Sequence, residues 1–132
     1  EPTVLVEVNH DMAVMCEETF GPVLPIVPYQ TFDEAIALAN ASPYGLGANL
    51  YTRNVDYVKR FYEEVRAGTL WINDPLTDND AGPFGGFGLS GIGRELGEEG
   101  LDEFRETKHV HWDMAMEPKP WWYPYEIYAR ER

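Results

Sequence analysis

The chain is predicted to fold as an α/β layer, a partial parallel sheet with flanking helices. Three observations predict it. Short runs rich in β-branched residues alternate with two segments whose apolar residues recur at helical spacing. The order is β-α-β-α-β with short joints, which suits parallel strands linked by crossover helices. Apolar residues make up 44% of the 132, enough for a core and too many for a disordered chain.

Thr3 to Val8 (TVLVEV) reads as the first strand and Val23 to Val27 (VLPIV) as the second, with Pro25 pushing the latter to a sheet edge or strand end. The segment between them closes on a turn signal, Gly21-Pro22. Thr31 opens the first helix: Thr31 and Glu34 fit a capping box, and Phe32, Ala35, Ile36 and Ala39 share one face. That helix must stop near Ser42, because Pro43 disfavours helical geometry in the residue before it. Gly45 to Tyr51 then reads as a strand. Asn54 is the candidate N-cap of the second helix, in which Val55, Val58, Phe61, Tyr62 and Val65 follow the 3.6-residue period and Gly68 is the candidate stop. Thr69 to Asn73 (TLWIN) follows as a short buried strand.

From Asp74 to Gly97 the periodicity fails, and eight of the twelve glycines fall between residues 82 and 100. A loop this long inside a compact domain is usually functional or disordered. Beyond it, Leu101 and Phe104 mark a short helix and Thr107–Trp112 a strand. Pro118, Pro120 and Pro124 forbid a helix in the aromatic tail.

Charge narrows the function classes. The net charge is −13, and the first 52 residues carry seven acids and no Lys or Arg. Phosphate backbones and anionic membrane surfaces need basic patches, so neither nucleic acid nor membrane is an expected partner. No apolar run approaches the ~18 residues of a membrane span. The single Cys forms no internal disulfide and no thiolate zinc site, and the cytoplasm is the expected compartment. The sequence opens at Glu1 in a strand-like run, which reads as a fragment or a processed chain.

Several motifs invite chemistry. Gly86-Phe87-Gly88-Leu89-Ser90-Gly91 matches G-x-G-x-x-G, but a dinucleotide fingerprint follows a strand and opens a helix, and here the reading is a tight glycine turn that lets backbone approach a neighbour. Ser90 has glycine two residues before it but Ile92 two residues after, so the nucleophile-elbow pattern fails; His109 and His111 are its conceivable bases. Asp78-Asn79-Asp80 begins like a calcium loop and then lacks its later ligands; Asp74, Asp78 and Asp80 remain a polar loop. Cys16 has Glu17 and Glu18 beside it, which disfavour a thiolate, so it reads as structural. Glu18 and Phe20 stand two apart, on one side if the backbone is extended, and a carboxylate suits the two hydroxyls of a ribose.

Glu17 to Pro22 (EETFGP) and Pro83 to Leu101 (PFGGFGLSGIGRELGEEGL), supported by 31–52 and by AGTLWIN (67–73), resemble the C-terminal part of the aldehyde dehydrogenase superfamily, from about Glu1 to Trp112. The resemblance implies NAD- or NADP-dependent oxidation of an aldehyde to a carboxylic acid. It implies that Glu18 holds the nicotinamide ribose, that Phe20 lies against the cofactor, and that Phe84, Asn73 and Asp78 face the substrate. Asp78 stands where many relatives carry an apolar or aromatic residue. The implied division is residues 1–106 as the C-terminal part of a catalytic domain and 107–132 as an oligomerisation strand and tail, so a homo-oligomer is expected through 107–112 and the tail.

The family's GQxC nucleophile segment, general-base glutamate and dinucleotide-binding domain are absent from these residues, and Cys16 is in no such motif. Covalent catalysis needs an activated nucleophile with a base in reach. The sequence therefore reads as about a quarter of a family-length enzyme, with no aldehyde oxidation of its own. Two alternatives stand beside it: an autonomous esterase-like hydrolase using Ser90 and the histidines, and a non-catalytic assembly module.

Overall fold

A computed structural model of the chain describes residues 1–74, 77 and 79–122. Ten elements follow in order: β1 (Thr3–Leu5), α1 (Ala13–Cys16), β2 (Val23–Pro25), α2 (Phe32–Asn40), β3 (Tyr44–Gly45), β4 (Gly47–Leu50), α3 (Val55–Glu64), β5 (Thr69–Ile72), β6 (Phe87–Gly88) and α4 (Gly97–Asp102). The α/β expectation holds, but the sheet is divided into three pairs: β1 with β2 and β4 with β5 are parallel, while β3 with β6 is antiparallel.

The centre is the β4-α3-β5 crossover with α2 beside it. Phe32, Ile36 and Phe61 are buried together, and Ala35, Ala48, Leu50, Val65, Leu70 and Ile72 pack against them. In α2, Phe32, Ala35 and Ile36 point inward as the helical period predicts, while Ala39 is exposed. In α3, Phe61 is buried and Val58 and Val65 are half-buried, whereas Val55 and Tyr62 are exposed. Tyr57 stacks on Phe32 with ring centroids 4.2 Å apart.

Both helix starts follow their capping residues. Thr31 Oγ1 accepts from the Glu34 N–H at 3.2 Å, but the Glu34 carboxylate reaches back to the Gln30 N–H, one residue beyond the usual reciprocal partner. Asn54 Oδ1 accepts from the N–H groups of Asp56 and Tyr57. The end of α3 differs from the glycine stop expected at Gly68. The helix ends at Glu64 because Val65 turns extended and the Asn40 amide replaces the next helical turn: Nδ2 donates to the Glu64 carbonyl and Oδ1 accepts from the Arg66 N–H, both at 2.8 Å. Gly68 serves another purpose, since a Cβ there would overlap the Gly85 carbonyl.

The single strand expected over 45–51 is two, because one extended run serves two sheets. Tyr44–Gly45 pairs with Phe87–Gly88, and Gly47–Leu50 pairs with Thr69–Ile72. Pro25 ends β2 in a two-stranded pair, an edge position that asks for no N–H. The one-turn helix α1 was not predicted. Residues 107–112, expected as a strand, pair with no strand among the described residues. The surface is 11466 Å², against about 7,100 Å² for a self-contained monomer of this mass.

Candidate functional site

A concavity of about 620 Å³ lies between α1 and its following turn on one side and the β3–β4 run on the other. Met15, Cys16, Glu17 and Glu18 form one wall; Gly45 to Ala48 and Arg66 form the opposite one. Glu18 is exposed, and its carboxylate makes no hydrogen bond or ion pair among the described residues. It is thus a free bidentate acceptor on the rim of a cleft, suited to a vicinal diol. Among the described residues Arg66 is the only Lys or Arg lining the cleft. Its backbone is held by Asn40, and its guanidinium has no partner among the described residues. The two acids outweigh it, so this surface favours a neutral, hydroxyl-rich group over a phosphate.

Phe20 is 95% exposed and does not line the cleft. The sequence grouped it with Glu18; within this chain the pair shares no enclosing surface.

Phe84 lies in a second concavity of about 390 Å³, which shares only Leu46 and Ser90 with the first. Its backbone is tied to Glu95 by a two-way bridge: the Phe84 N–H donates to the Glu95 carbonyl at 2.6 Å and the Glu95 N–H returns the bond at 2.7 Å. Asn73 is committed elsewhere. Its Oδ1 accepts from the Thr52 N–H and its Nδ2 donates to the Thr52 carbonyl, both at 2.8 Å, so the amide extends the β4–β5 ladder by one rung. Asn73 adopts a left-handed backbone, φ 57°, where the chain leaves the sheet. Asp78 lies outside the described residues.

The other motifs resolve into structure. Gly86 is buried against Ser90, and a Cβ at Gly85 would overlap the Gly93 carbonyl, so the glycine loop folds on itself and offers no phosphate cradle. Ser90 Oγ accepts from the Gly45 N–H at 3.1 Å, and neither His109 nor His111 hydrogen-bonds to it among the described residues. That leaves the hydrolase alternative without its nucleophile-base pair. Asn79 Oδ1 accepts from the Ala81 N–H in an ordinary polar turn. Among the described residues no three His, Cys, Asp or Glu side chains cluster to hold a metal. Cys16 closes the one-turn helix and donates its thiol to the His10 carbonyl at 2.7 Å. Sequence reasoning missed Arg66, Asn40 and Arg94. Asn40, the last residue of a predicted helix, was the one with a readable signal, since Asn at a helix end often bonds backbone. No helix of the described residues is long and apolar enough to cross a membrane.

The profile described as the aldehyde dehydrogenase family matches residues 1–110. Aldehyde dehydrogenase 1A1 of Gallus gallus is 46% identical over 110 residues, which are 83% of this chain and 22% of that protein. The NAD(P)+ aldehyde dehydrogenase 1 of Saccharomyces cerevisiae is 38% identical over 88% of this chain and 23% of its own length. The structure of betaine aldehyde dehydrogenase from Staphylococcus aureus in complex with NAD+ superposes with a TM-score of 0.81 at 38% identity, over 93% of this chain and 24% of that one. The chain therefore spans about a quarter of the length of the relatives it matches.

Proposed function

This chain belongs to the aldehyde dehydrogenase family, and from that premise we propose that it supplies the ribose contact and the aldehyde-facing wall of an NAD- or NADP-dependent aldehyde oxidation. In that reaction the aldehyde and water become a carboxylate while the nucleotide is reduced. A bound nicotinamide nucleotide would accept the hydride. The residues in hand fit one half of such a cofactor. Glu18 offers the diol acceptor, whereas the folded glycine loop offers no cradle for the pyrophosphate. Phe84 walls the substrate side, and Phe20 contributes an aromatic face against the cofactor. Asn73 acts through the loop it anchors rather than through a free amide. The cysteine nucleophile and its base lie outside these residues, so this chain alone performs no turnover. The unpartnered Glu18 carboxylate on the cleft carries the reading.

Assembly belongs to the same proposal. Residues 1–106 form the catalytic-domain portion, and 107–132 carry the contacts of a homo-oligomer. Val110 and Trp112 are 74% and 79% exposed, available to a second subunit. The cytoplasm is the proposed compartment, consistent with the free Cys16.

The test is a graft of this chain for the matching quarter of the Staphylococcus aureus enzyme. The graft should reduce NAD+ in the presence of aldehyde. Glu18→Gln should raise the KM for NAD+ about tenfold or more, the size of a lost charge-assisted hydrogen bond, and Phe84→Ala should raise the KM for aldehyde instead. The isolated chain should form no NADH. Aldehyde-dependent NADH from the isolated chain, above a Glu18→Ala control, or a graft indifferent to Glu18→Gln, overturns the proposal.

A further inference from the structure

We propose that Arg94 is the positioning residue of the Phe84 wall, a guanidinium strap that closes the glycine loop on itself. The inference rests on Phe84 facing the substrate only for its functional meaning; the strap is argued from geometry. Residues 84 and 95 form the neck of the loop through their two-way backbone bridge. Inside the neck, Arg94 Nη1 donates to the carbonyl of Gly86 at 3.1 Å and to that of Gly93 at 2.7 Å. One nitrogen thus joins the outgoing arm of the loop to the returning arm. The guanidinium carbon also lies 5.5 Å from the centroid of the Phe87 ring.

Glycine is what allows this. A Cβ at Gly85 would sit 2.8 Å from Arg94 Cδ and 2.9 Å from Nη1, so the arms close only around a bare backbone. Arginine is what holds it. The planar fork carries Nη1 out to both carbonyls while its flat face stacks on an aromatic ring; a lysine ammonium has donors enough but ends one bond short of Nη1 and has no flat face to stack. Other attachments of the loop run to the β3 side: the β3–β6 pairing, the Leu89 N–H to the Pro43 carbonyl and the Gly45 N–H to Ser90 Oγ. They fix the tip. Arg94 fixes the neck, and with it the position of Phe84.

Amide hydrogen exchange on the full 132-residue chain tests the strap, with no aldehyde or nucleotide present. In Arg94→Ala the Phe84 and Glu95 amides should exchange about tenfold faster or more, the scale of a lost charge-assisted hydrogen bond. The carbonyl carbon resonances of Gly86 and Gly93 should both shift. Arg94→Lys should keep at most one of those two carbonyl signatures. Free guanidinium at low-millimolar concentration should restore protection to Arg94→Ala, and urea at the same concentration should not. The Asp56 and Tyr57 amides, capped by Asn54, should stay protected throughout. Unchanged exchange at Phe84 and Glu95, full retention by Arg94→Lys, or equal loss at Asp56 and Tyr57 overturns the proposal. Failure here leaves the substrate reading of Phe84 standing, and an unchanged aldehyde KM in the Phe84→Ala graft would remove that reading while leaving the strap.

Discussion

The β4–β5 pair and the β1–β2 pair are both two parallel strands, yet they live in different surroundings. Parallel sheets are normally covered on both faces. Around β4–β5 this chain supplies one full cover and part of the second. Ala48, Leu50, Leu70 and Ile72 meet α2 and α3, and on the other face the buried Trp71 ring lies against Gly47 and donates its Nε1–H to the Thr77 carbonyl. Around β1–β2 one cover is missing. Val4 pairs with Leu24, and two residues on Val6 and Ile26 continue the same face; all four are 47–66% exposed. The difference shows which part of the chain specifies its own fold. A crossover helix brings its own cover, whereas a strand pair linked by a short helix and a turn borrows its cover from elsewhere. Glu18 stands at the boundary, on the connection between β1 and β2, facing a cleft whose other wall is the self-sufficient unit.

The largest expected effect breaks that contrast. Phe61→Ala, which hollows the buried cluster, should destabilise the chain by about 3–5 kcal/mol. Leu24→Ala, on the open face, should change stability by no more than about 0.5 kcal/mol. Denaturant titration followed by far-ultraviolet circular dichroism compares them. Equal losses would mean that β1–β2 is part of one cooperative core.

Asn73 sharpens the contrast from the edge of the same unit. Asn73→Asp keeps an acceptor for the Thr52 N–H but sets a carboxylate against the Thr52 carbonyl. The expected loss is about 1–3 kcal/mol, the cost of a broken backbone bridge. Asn73→Gly relieves the positive φ and should lose less. A larger loss for Gly than for Asp would show that the amide bridge, and not backbone strain, governs the exit from β5.

Legibility in the sequence followed the same division. Helices α2 and α3, the Thr31 and Asn54 caps and β5 were readable because local periodicity and capping chemistry determine them. The division of 44–50 between two sheets was not, because it depends on Phe87–Gly88 arriving from more than forty residues away. The end of α3 was misread at Gly68 because its true stop is a side chain from another helix, Asn40. At the site, Glu18 was found through its motif and sits on a cleft, but Phe20 and Asn73 show that a motif residue can be present without the neighbours its role requires. Ser90 failed as a nucleophile by pattern, and its bond to Gly45 gives the reason for its presence.

The smallest expected effect concerns charge on the central unit. Arg60 bonds the Glu64 carboxylate and the Asp33 carboxylate, each at 2.6 Å, and lies over the Phe32 ring. The Arg60 hydrogen bond lowers the Glu64 pKa below its ordinary value of 4.5. A group whose folded pKa is depressed adds stability above its unfolded pKa and loses it as pH falls through the folded one. The central unit should therefore weaken below about pH 4.5, and Glu64→Gln should flatten that part of the profile. High salt should flatten it too, because exposed pairs are screened. The β1–β2 pair gives the control: Glu7 and Glu18 have no ion-pair partner among the described residues, so Glu7→Gln should leave the acid limb where it is. An acid limb that follows Glu7 and ignores Glu64 would place the pH-sensitive contacts on the open sheet and not on the covered one.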